Sequence, residues 1–207
     1  MGQVSYAPLW VKSNFSFLEG ASHPEELVDR ARALGLRALA LTDRDSVSGS
    51  VRAHVQALGC GLPLIHGAQI SVGEPDELLG LGEIGGAKQA VRKGRSKAGA
   101  WNLRGGAPLG DLSVGTGGPR GGAPPAGRPV IALASDRAAW GGLCGLLSRG
   151  RLACPKGHGR VRLGELAAAG SGSGLIALVV DPDMLAALRE PFAGRLYALV
   201  TRHRSAA

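Results

Sequence analysis

Cys154 and His158 are side chains whose types and spacing could hold a metal ion. They lie four residues apart in the run Cys-Pro-Lys-Gly-His, a spacing that occurs in zinc sites. A structural zinc site needs four ligands, and no second pair completes the set. Cys144 lies further upstream, where a helix face in the core is expected. The pair is therefore weak support for a metal centre.

A cluster of basic side chains in the middle of the chain could contact nucleic acid. The cluster consists of Arg92, Lys93, Arg95 and Lys97, and Trp101 follows it. Lys and Arg pair with phosphates, and an aromatic ring can stack on an unpaired base. Such binding would be weak, sensitive to salt and independent of base sequence. The alternative, a solvated basic linker, remains open.

The basic character of the chain is confined to one segment. The net charge is +8, and residues 84–128 hold eight Lys or Arg against one acid, which leaves about +1 for the rest. The same segment is rich in glycine and proline and has little apolar periodicity. It cannot bury enough surface to offset the entropy of ordering it. The sequence predicts a flexible insertion over residues 85–128.

Length and composition indicate one ordinary domain with an appendage. The chain has 207 residues, and 44% of them are hydrophobic, which is enough for a core. The start of the chain lacks the pattern of a signal peptide, and no apolar run is long enough to span a membrane. Three separated cysteines are typical of a reduced compartment. We expect a cytoplasmic protein without membrane partners.

Outside the insertion, short apolar runs alternate with segments of helical periodicity. Ser22 and Glu25 are spaced as a capping box at the start of the first helix, and Gly35 and Gly59 are expected to end the first two helices. Helices are predicted over 25–34, 48–58, 137–147 and 182–189. Strands are predicted over 37–42, 62–72, 129–134, 174–180 and 195–201. This alternation predicts an α/β fold with a mainly parallel sheet.

Several long runs resemble one known family. The run from Lys12 to Leu27, which contains Ser-Asn-Phe-Ser-Phe, resembles the opening of the polymerase-and-histidinol-phosphatase (PHP) domain that begins bacterial DNA polymerases of the type III alpha class. The runs Ala40–Asp45 and Leu64–Gln69 resemble later blocks of that domain. The segment from Ser135 to Gly150 and the last residues, 195–204, resemble the error-prone branch of the class.

The resemblance implies a distorted (β/α) barrel, with active residues at the carboxyl ends of the strands. The domain would comprise a first part (1–84), the insertion (85–128) and a second part (129–207). In the family the domain continues beyond the position of Ala207 and is followed by the polymerase itself. The barrel is therefore expected to be incomplete at the C-terminus.

Active members of this family bind divalent metals, zinc or manganese, through histidines and carboxylates. By resemblance, Trp10 and Lys12 occupy the positions of a His-x-His pair, Arg44 that of a histidine and Gln69 that of a carboxylate. Asp43 matches a ligand, and His203 is aligned with a later one. Since Trp and Lys offer no lone pair to a metal, we expect a degenerate site without a cofactor and without catalytic residues. Lys12 or Arg44 is expected to pair with Asp43 instead.

The resemblance thus implies a structural and interaction module of an error-prone, translesion DNA polymerase. Its expected partners are the remainder of the alpha-type subunit and translesion synthesis proteins. Two alternatives stay open. One is a stand-alone metal-dependent phosphoesterase of the PHP family, and the other is a module that binds DNA weakly through the basic insertion.

Overall fold

Helices and strands alternate along the described part of the chain. The computed structural model describes residues 6–74, 127–155 and 158–200. The helices are α1 (Pro24–Ala33), α2 (Ser50–Cys60), α3 (Arg137–Leu152), α4 (Leu163–Gly172) and α5 (Pro182–Leu188). The strands are β1 (Leu39–Leu41), β2 (Leu64–Val72), β3 (Arg128–Ala134), β4 (Leu175–Val179) and β5 (Leu196–Ala198). Over these residues, no helix combines the length and the apolar character needed to cross a membrane.

The strands form one open sheet in the order β1-β2-β3-β4-β5. The outer pairs, β1 with β2 and β4 with β5, are parallel, whereas β3 is antiparallel to both of its neighbours. Four strands therefore run in one direction and β3 runs against them. The expected α/β fold is confirmed, but β3 departs from the parallel pattern. A short buried apolar run can form a parallel or an antiparallel strand, so the sequence contained no indication of the direction of β3.

Several helix boundaries differ from the predicted ones, most of all in α3, which continues to Leu152 instead of ending at residue 147. Helix α1 is capped at His23, whose backbone N–H donates to the Glu26 carboxylate at 2.8 Å, so the capping box lies one residue later than predicted. Helix α2 continues through Gly59 and ends before Gly61, which adopts a left-handed φ of 70°. A helix ends where the backbone turns left-handed, and the sequence offers two glycines for that role.

Helix α4 was not predicted at all. Its sequence, Leu-Gly-Glu-Leu-Ala-Ala-Ala-Gly-Ser-Gly, is rich in residues that weaken helices. Leu166 and Gly170 are buried, and a side chain on Gly170 would overlap the Phe192 ring. Packing against that ring, rather than intrinsic propensity, accounts for the helix.

The two faces of the sheet have different surroundings. One face of β2, β3 and β4 packs against α3, α4 and α5 in the main core, which includes Ile70, Val130 and Leu143. A smaller apolar cluster around Ile131 and Leu133 covers the opposite face. Alternate residues of β2 therefore point to different environments. This alternation determines which side chains of β2 reach the candidate site.

Candidate functional site

Three separate segments meet beside β1 and β2. Val11 pairs with Leu41 in a parallel bridge, and Arg44 pairs with Gln69 in another. These bridges bring together the positions expected to correspond to metal ligands. They are Trp10, Lys12, Asp43, Arg44 and Gln69. The convergence predicted from the sequence blocks is therefore present, and the chemistry depends on the partners of each side chain.

The side-chain oxygen of Gln69 accepts two hydrogen bonds. The Trp10 indole Nε1 donates at 3.0 Å, and the Lys12 Nζ donates at 2.7 Å. Gln69 is 8% exposed, so water has little access to this oxygen. One of its two donors is a positively charged ammonium group. The group that could have offered an oxygen to a metal is thus already bound to a cation.

Asp43 is buried and hydrogen-bonded on both oxygens. Its Oδ1 accepts from the Ser13 backbone N–H at 2.8 Å and from the Ser16 hydroxyl at 2.6 Å. Its Oδ2 accepts from the Ser13 hydroxyl at 2.7 Å. The residue is 1% exposed. These bonds fasten the loop after Val11 to the end of β1, which is a structural role.

Glu19 forms ion pairs with both cations of the site. Its carboxylate lies 2.5 Å from the Lys12 ammonium and 2.5 Å from the Arg44 guanidinium. The expected pairing of Lys12 or Arg44 with Asp43 is therefore wrong. Asp43 is enclosed by the two serines, while Glu19 stands on the more exposed side of the loop, where long basic side chains reach it. We call Trp10, Lys12, Glu19, Arg44 and Gln69 the ionic cluster.

The residues of this site do not fit a divalent metal. An ion between Asp43 and Gln69 would meet the Lys12 ammonium, which has no lone pair and repels a cation. Arg44 adds a second fixed positive charge. Across the described ranges, no group of three or more His, Cys, Asp or Glu side chains is arranged to hold a metal ion.

Ser13, Ser16 and Glu19 were missed as members of the site. They lie at intervals of three residues, which is the only signal the sequence offers for their common orientation. The loop closes tightly at Gly20, where a side chain would collide with the backbone carbonyl of Ser13. This close approach holds Glu19 over the cations.

Replacing Glu19 by Gln is expected to destabilise the fold. The Lys12 side chain is only 12% exposed, so it would lose its anionic partner in a poorly hydrated position. We expect a loss of about 1–2 kcal/mol in the free energy of unfolding, measured by urea denaturation.

Glu25→Gln is a matched control for this change. It breaks an ion pair of the same length, 2.5 Å, but with Arg52, whose side chain is 48% exposed. Surface pairs contribute little, so the control should lose clearly less stability. Equal losses in the two variants would contradict the role assigned to Glu19.

Asp45 follows the site and has an unusual environment. Its φ is 48°, and its carboxylate accepts from the Ser71 backbone N–H at 2.7 Å and from the Ser71 hydroxyl at 2.8 Å. Burial raises the pKa of Asp45 above its ordinary value, although the hydrogen bonds from Ser71 oppose that shift. A raised carboxyl pKa means that the folded state binds the proton more tightly than the unfolded state.

We expect Asp45→Asn to raise the melting temperature at pH 7. The stability linked to this carboxyl is present below its ordinary pKa and is lost as the pH rises through the folded value. The neutral amide avoids that loss, and Asn tolerates a left-handed φ. The advantage should shrink as the pH falls towards 3.8, the ordinary value.

Asp136→Asn provides a comparison of opposite sign. Hydrogen bonds from the Ala139 N–H and the Ser135 hydroxyl lower the pKa of Asp136. That carboxyl contributes stability above its ordinary pKa, which is lost as the pH falls through the folded value. Thermal melts at several pH values check both variants, and a pH-independent difference for Asp45→Asn would refute the assignment.

Other predicted site residues lie outside the described residues. They are His203 and the basic set Arg92, Lys93, Arg95, Lys97 and Trp101. The predicted insertion, apart from its last two residues, also lies there. A vestigial ligand role for His203 and a DNA contact for the basic set remain predictions.

Cys154 and His158 both belong to the described part of the chain. The His158 backbone N–H donates to the Pro155 carbonyl at 3.1 Å, and the His158 side chain is exposed. Cys154 is a half-buried free cysteine. The weak metal signal of this spacing gains no support from the described residues.

Curated relatives of this chain are error-prone DNA polymerases. The protein from Anaeromyxobacter dehalogenans is 38% identical over 212 residues, which cover 97% of this chain and 14% of the relative. The protein from Ralstonia nicotianae is 37% identical over 172 residues, covering 81% of this chain and 11% of the relative. The chain thus spans about one seventh or less of the length of these relatives.

Solved structures with the same fold are more distant in sequence. A protein from Bifidobacterium adolescentis assigned as a metal-dependent phosphoesterase matches with a TM-score of 0.54 and 13% identity, over 94% of this chain and 77% of that one. An amidohydrolase from Chromobacterium violaceum, solved with bound sulfate and no metal, matches with a TM-score of 0.53 and 15% identity, over 92% and 75%.

The family assignment rests on a match over nearly the whole chain. The model of the PHP domain matches residues 9–204, a range that includes every member of the ionic cluster and Asp43. The folded arrangement of strands and helices agrees with the solved relatives. The chain belongs to the PHP domain family.

Proposed function

We propose that this chain is a PHP domain that does not hydrolyse phosphoesters and acts as a structural and interaction module of an error-prone DNA polymerase. Its place would be in cytoplasmic DNA repair synthesis, beside the remainder of an alpha-type subunit and translesion synthesis proteins. Homology to error-prone polymerases over 97% of the chain supports this context.

The observation that carries the loss of hydrolysis is the bonding of Gln69. In a metal-dependent site this position supplies an oxygen to the ion that lowers the pKa of bound water. Here the oxygen accepts from Trp10 and Lys12, and the nearby Asp43 carboxylate is held by Ser13 and Ser16. Both cations of the ionic cluster pair with Glu19, and these ion pairs hold the loop in place.

The surface beside the ionic cluster supports an interaction role. Phe17 and Leu18 are 75% and 89% exposed at the tip of the same loop. Leu18 has a φ of 64°, which is costly for a residue with a branched side chain. Exposed apolar patches mark surfaces that bind partners, and local backbone strain clusters at functional sites.

A hydrolysis assay tests the proposed loss of activity. The purified chain is incubated with p-nitrophenyl phosphate and with bis-p-nitrophenyl phosphate, each with added Mn²⁺ or Zn²⁺. We expect no turnover above that of the Asp43→Asn variant. Sustained metal-dependent turnover that this substitution abolishes would favour the stand-alone phosphoesterase and overturn the proposal.

Cross-linking tests the proposed polymerase context. A tagged chain is cross-linked in cells of its source and its partners are identified by mass spectrometry. We expect peptides from a polymerase of the alpha type, and the variant Phe17→Ser with Leu18→Ser should reduce them. Capture that is unchanged by these two substitutions would remove the exposed loop from the proposed interface.

A further inference from the structure

A pocket of about 730 Å³ lies between α2, the start of β2 and the start of α3. Its volume is within the range of small-molecule sites. The His66 side chain on β2 lines this pocket. His66 lies three residues before Gln69, and side chains alternate along a strand, so the two side chains lie on opposite faces of β2. The pocket is therefore separate from the ionic cluster.

Aromatic and imidazole rings form one wall of the pocket. The ring centroids of His54 and His66 are 5.2 Å apart, and those of His66 and Trp140 are 5.1 Å apart. The rings are tilted by 50° and 57° to each other. A set of flat rings at this spacing offers both faces and edges to another aromatic ring.

Polar groups are concentrated at the rim. The rim consists of Ser135, Asp136 and Arg137, where β3 leads into α3, and all three are exposed. Burial, followed by the nearby His54, lowers the pKa of His66, so this ring is neutral at pH 7. Hydrogen bonds lower the pKa of Asp136, which is therefore ionised. A ligand that fits would combine a flat ring, N–H groups that face Asp136 and an anionic group that faces Arg137.

We propose that this pocket binds a purine base, with the base against His66 and Trp140 and its phosphate towards Arg137. His, Trp and Arg side chains stack on nucleobases. The Asp136 carboxylate already accepts from the Ala139 N–H and the Ser135 hydroxyl, and its remaining lone pairs can accept from the exocyclic amino group of an adenine base. The pocket has room for the base and its sugar.

Titration with adenosine monophosphate tests this site on the full chain. Binding is measured by calorimetry and by shifts of the His54 and His66 ring signals in nuclear magnetic resonance spectra. His54→Ala and Arg137→Ala change exposed residues of the pocket, so the fold is retained. Each is expected to weaken binding by about 5-fold or more.

Val55→Ala is the matched control, because Val55 is exposed on the same helix and is not part of the pocket wall. It should leave the affinity unchanged. Binding that is absent at millimolar nucleotide, or that His54→Ala and Arg137→Ala leave at the level of the control, overturns the proposal.

A short oligodeoxyadenylate distinguishes the two sources of a purine. Tighter binding of the oligonucleotide than of adenosine monophosphate, lost in His54→Ala, assigns the pocket to an unpaired base of a strand. Binding of the mononucleotide alone assigns it to a free nucleotide. Both outcomes support the site, and neither depends on whether the chain hydrolyses phosphoesters.

Discussion

Restoring four ligand positions is expected to give this domain a metal site. The variant carries histidine at Trp10, Lys12 and Arg44, and glutamate at Gln69. It removes two fixed cations and adds imidazole and carboxylate ligands beside Asp43, which are the ligand types that zinc binds. We expect the affinity for Zn²⁺ to rise by about 1000-fold or more over the unmodified chain, which corresponds to ~4 kcal/mol.

The contacts in the structure explain why all four changes are needed. Gln69 receives hydrogen bonds from both Trp10 and Lys12, so changing Gln69 alone would create a carboxylate that binds the Lys12 ammonium. Lys12 and Arg44 also share Glu19. A single substitution would leave at least one positive charge where the ion must sit.

Metal content after desalting and calorimetric titration with Zn²⁺ measure the gain. The control is the three-histidine variant that retains Gln69, which keeps the new imidazoles but lacks the new carboxylate. It should lose most of the gained affinity. If the four-residue variant is folded by circular dichroism and binds Zn²⁺ no more tightly than the original chain, the prediction is wrong. The residue types at these four positions would then not account for weak metal binding.

Removal of the buried carboxylate is expected to have the largest effect on stability. Asp43→Ala leaves the Ser13 backbone N–H and the hydroxyls of Ser13 and Ser16 without their acceptor in a position that is 1% exposed. Unsatisfied buried donors are costly, and the change also leaves a cavity. We expect a loss of about 2–4 kcal/mol in the free energy of unfolding, read from urea denaturation.

Asp183→Ala is the control for this prediction. Asp183 is 83% exposed and lies 3.9 Å from Arg128, so its removal should change stability by less than about 0.5 kcal/mol. Asp43→Asn should fall between the two, since its amide oxygen can accept from only part of the donor set. If Asp43→Ala is as stable as the control, Asp43 does not hold the loop to β1.

The four-residue variant changes the charge and the ligand types of this site, whereas Asp43→Ala removes the hydrogen bonds that hold its loop to β1. In a metal-dependent relative, carboxylates and imidazoles gather around a positive ion. Here the positive charges are covalently part of the chain, on Lys12 and Arg44, and the single Glu19 carboxylate pairs with both of them. An ion pair of this kind can hold the loop and the strand ends together without a metal.

The positions brought together beside β1 and β2 could be named from the sequence because local runs carry them. Apolar runs that end in polar residues indicate buried strands, so the ends of β1 and β2 could be recognised from the residue pattern alone. The side chains at Trp10, Lys12, Arg44 and Gln69 also led to the interpretation of a degenerate metal site, because lone pairs and charge follow from residue type. These inferences need no knowledge of distant contacts.

The partners of those side chains could not be predicted in the same way. Glu19 was missed because several acids stand within reach of Lys12 along the chain, and only the tight turn at Gly20 brings this one over the cations. Helix α4 was missed because its stability comes from Phe192, a residue distant in sequence. The pocket beside His66 depends on α2 and α3, which meet only after folding.

The α/β class and the family were thus already present in the residue types and their local order. The direction of β3, the pairing of both cations with Glu19 and the enclosure of Asp43 by serines arise from long-range packing. Local patterns report the propensity and burial of each segment. Tertiary contacts determine which of several possible partners each side chain takes. The energies of those contacts depend on segments that are distant in sequence, so no single segment reports them.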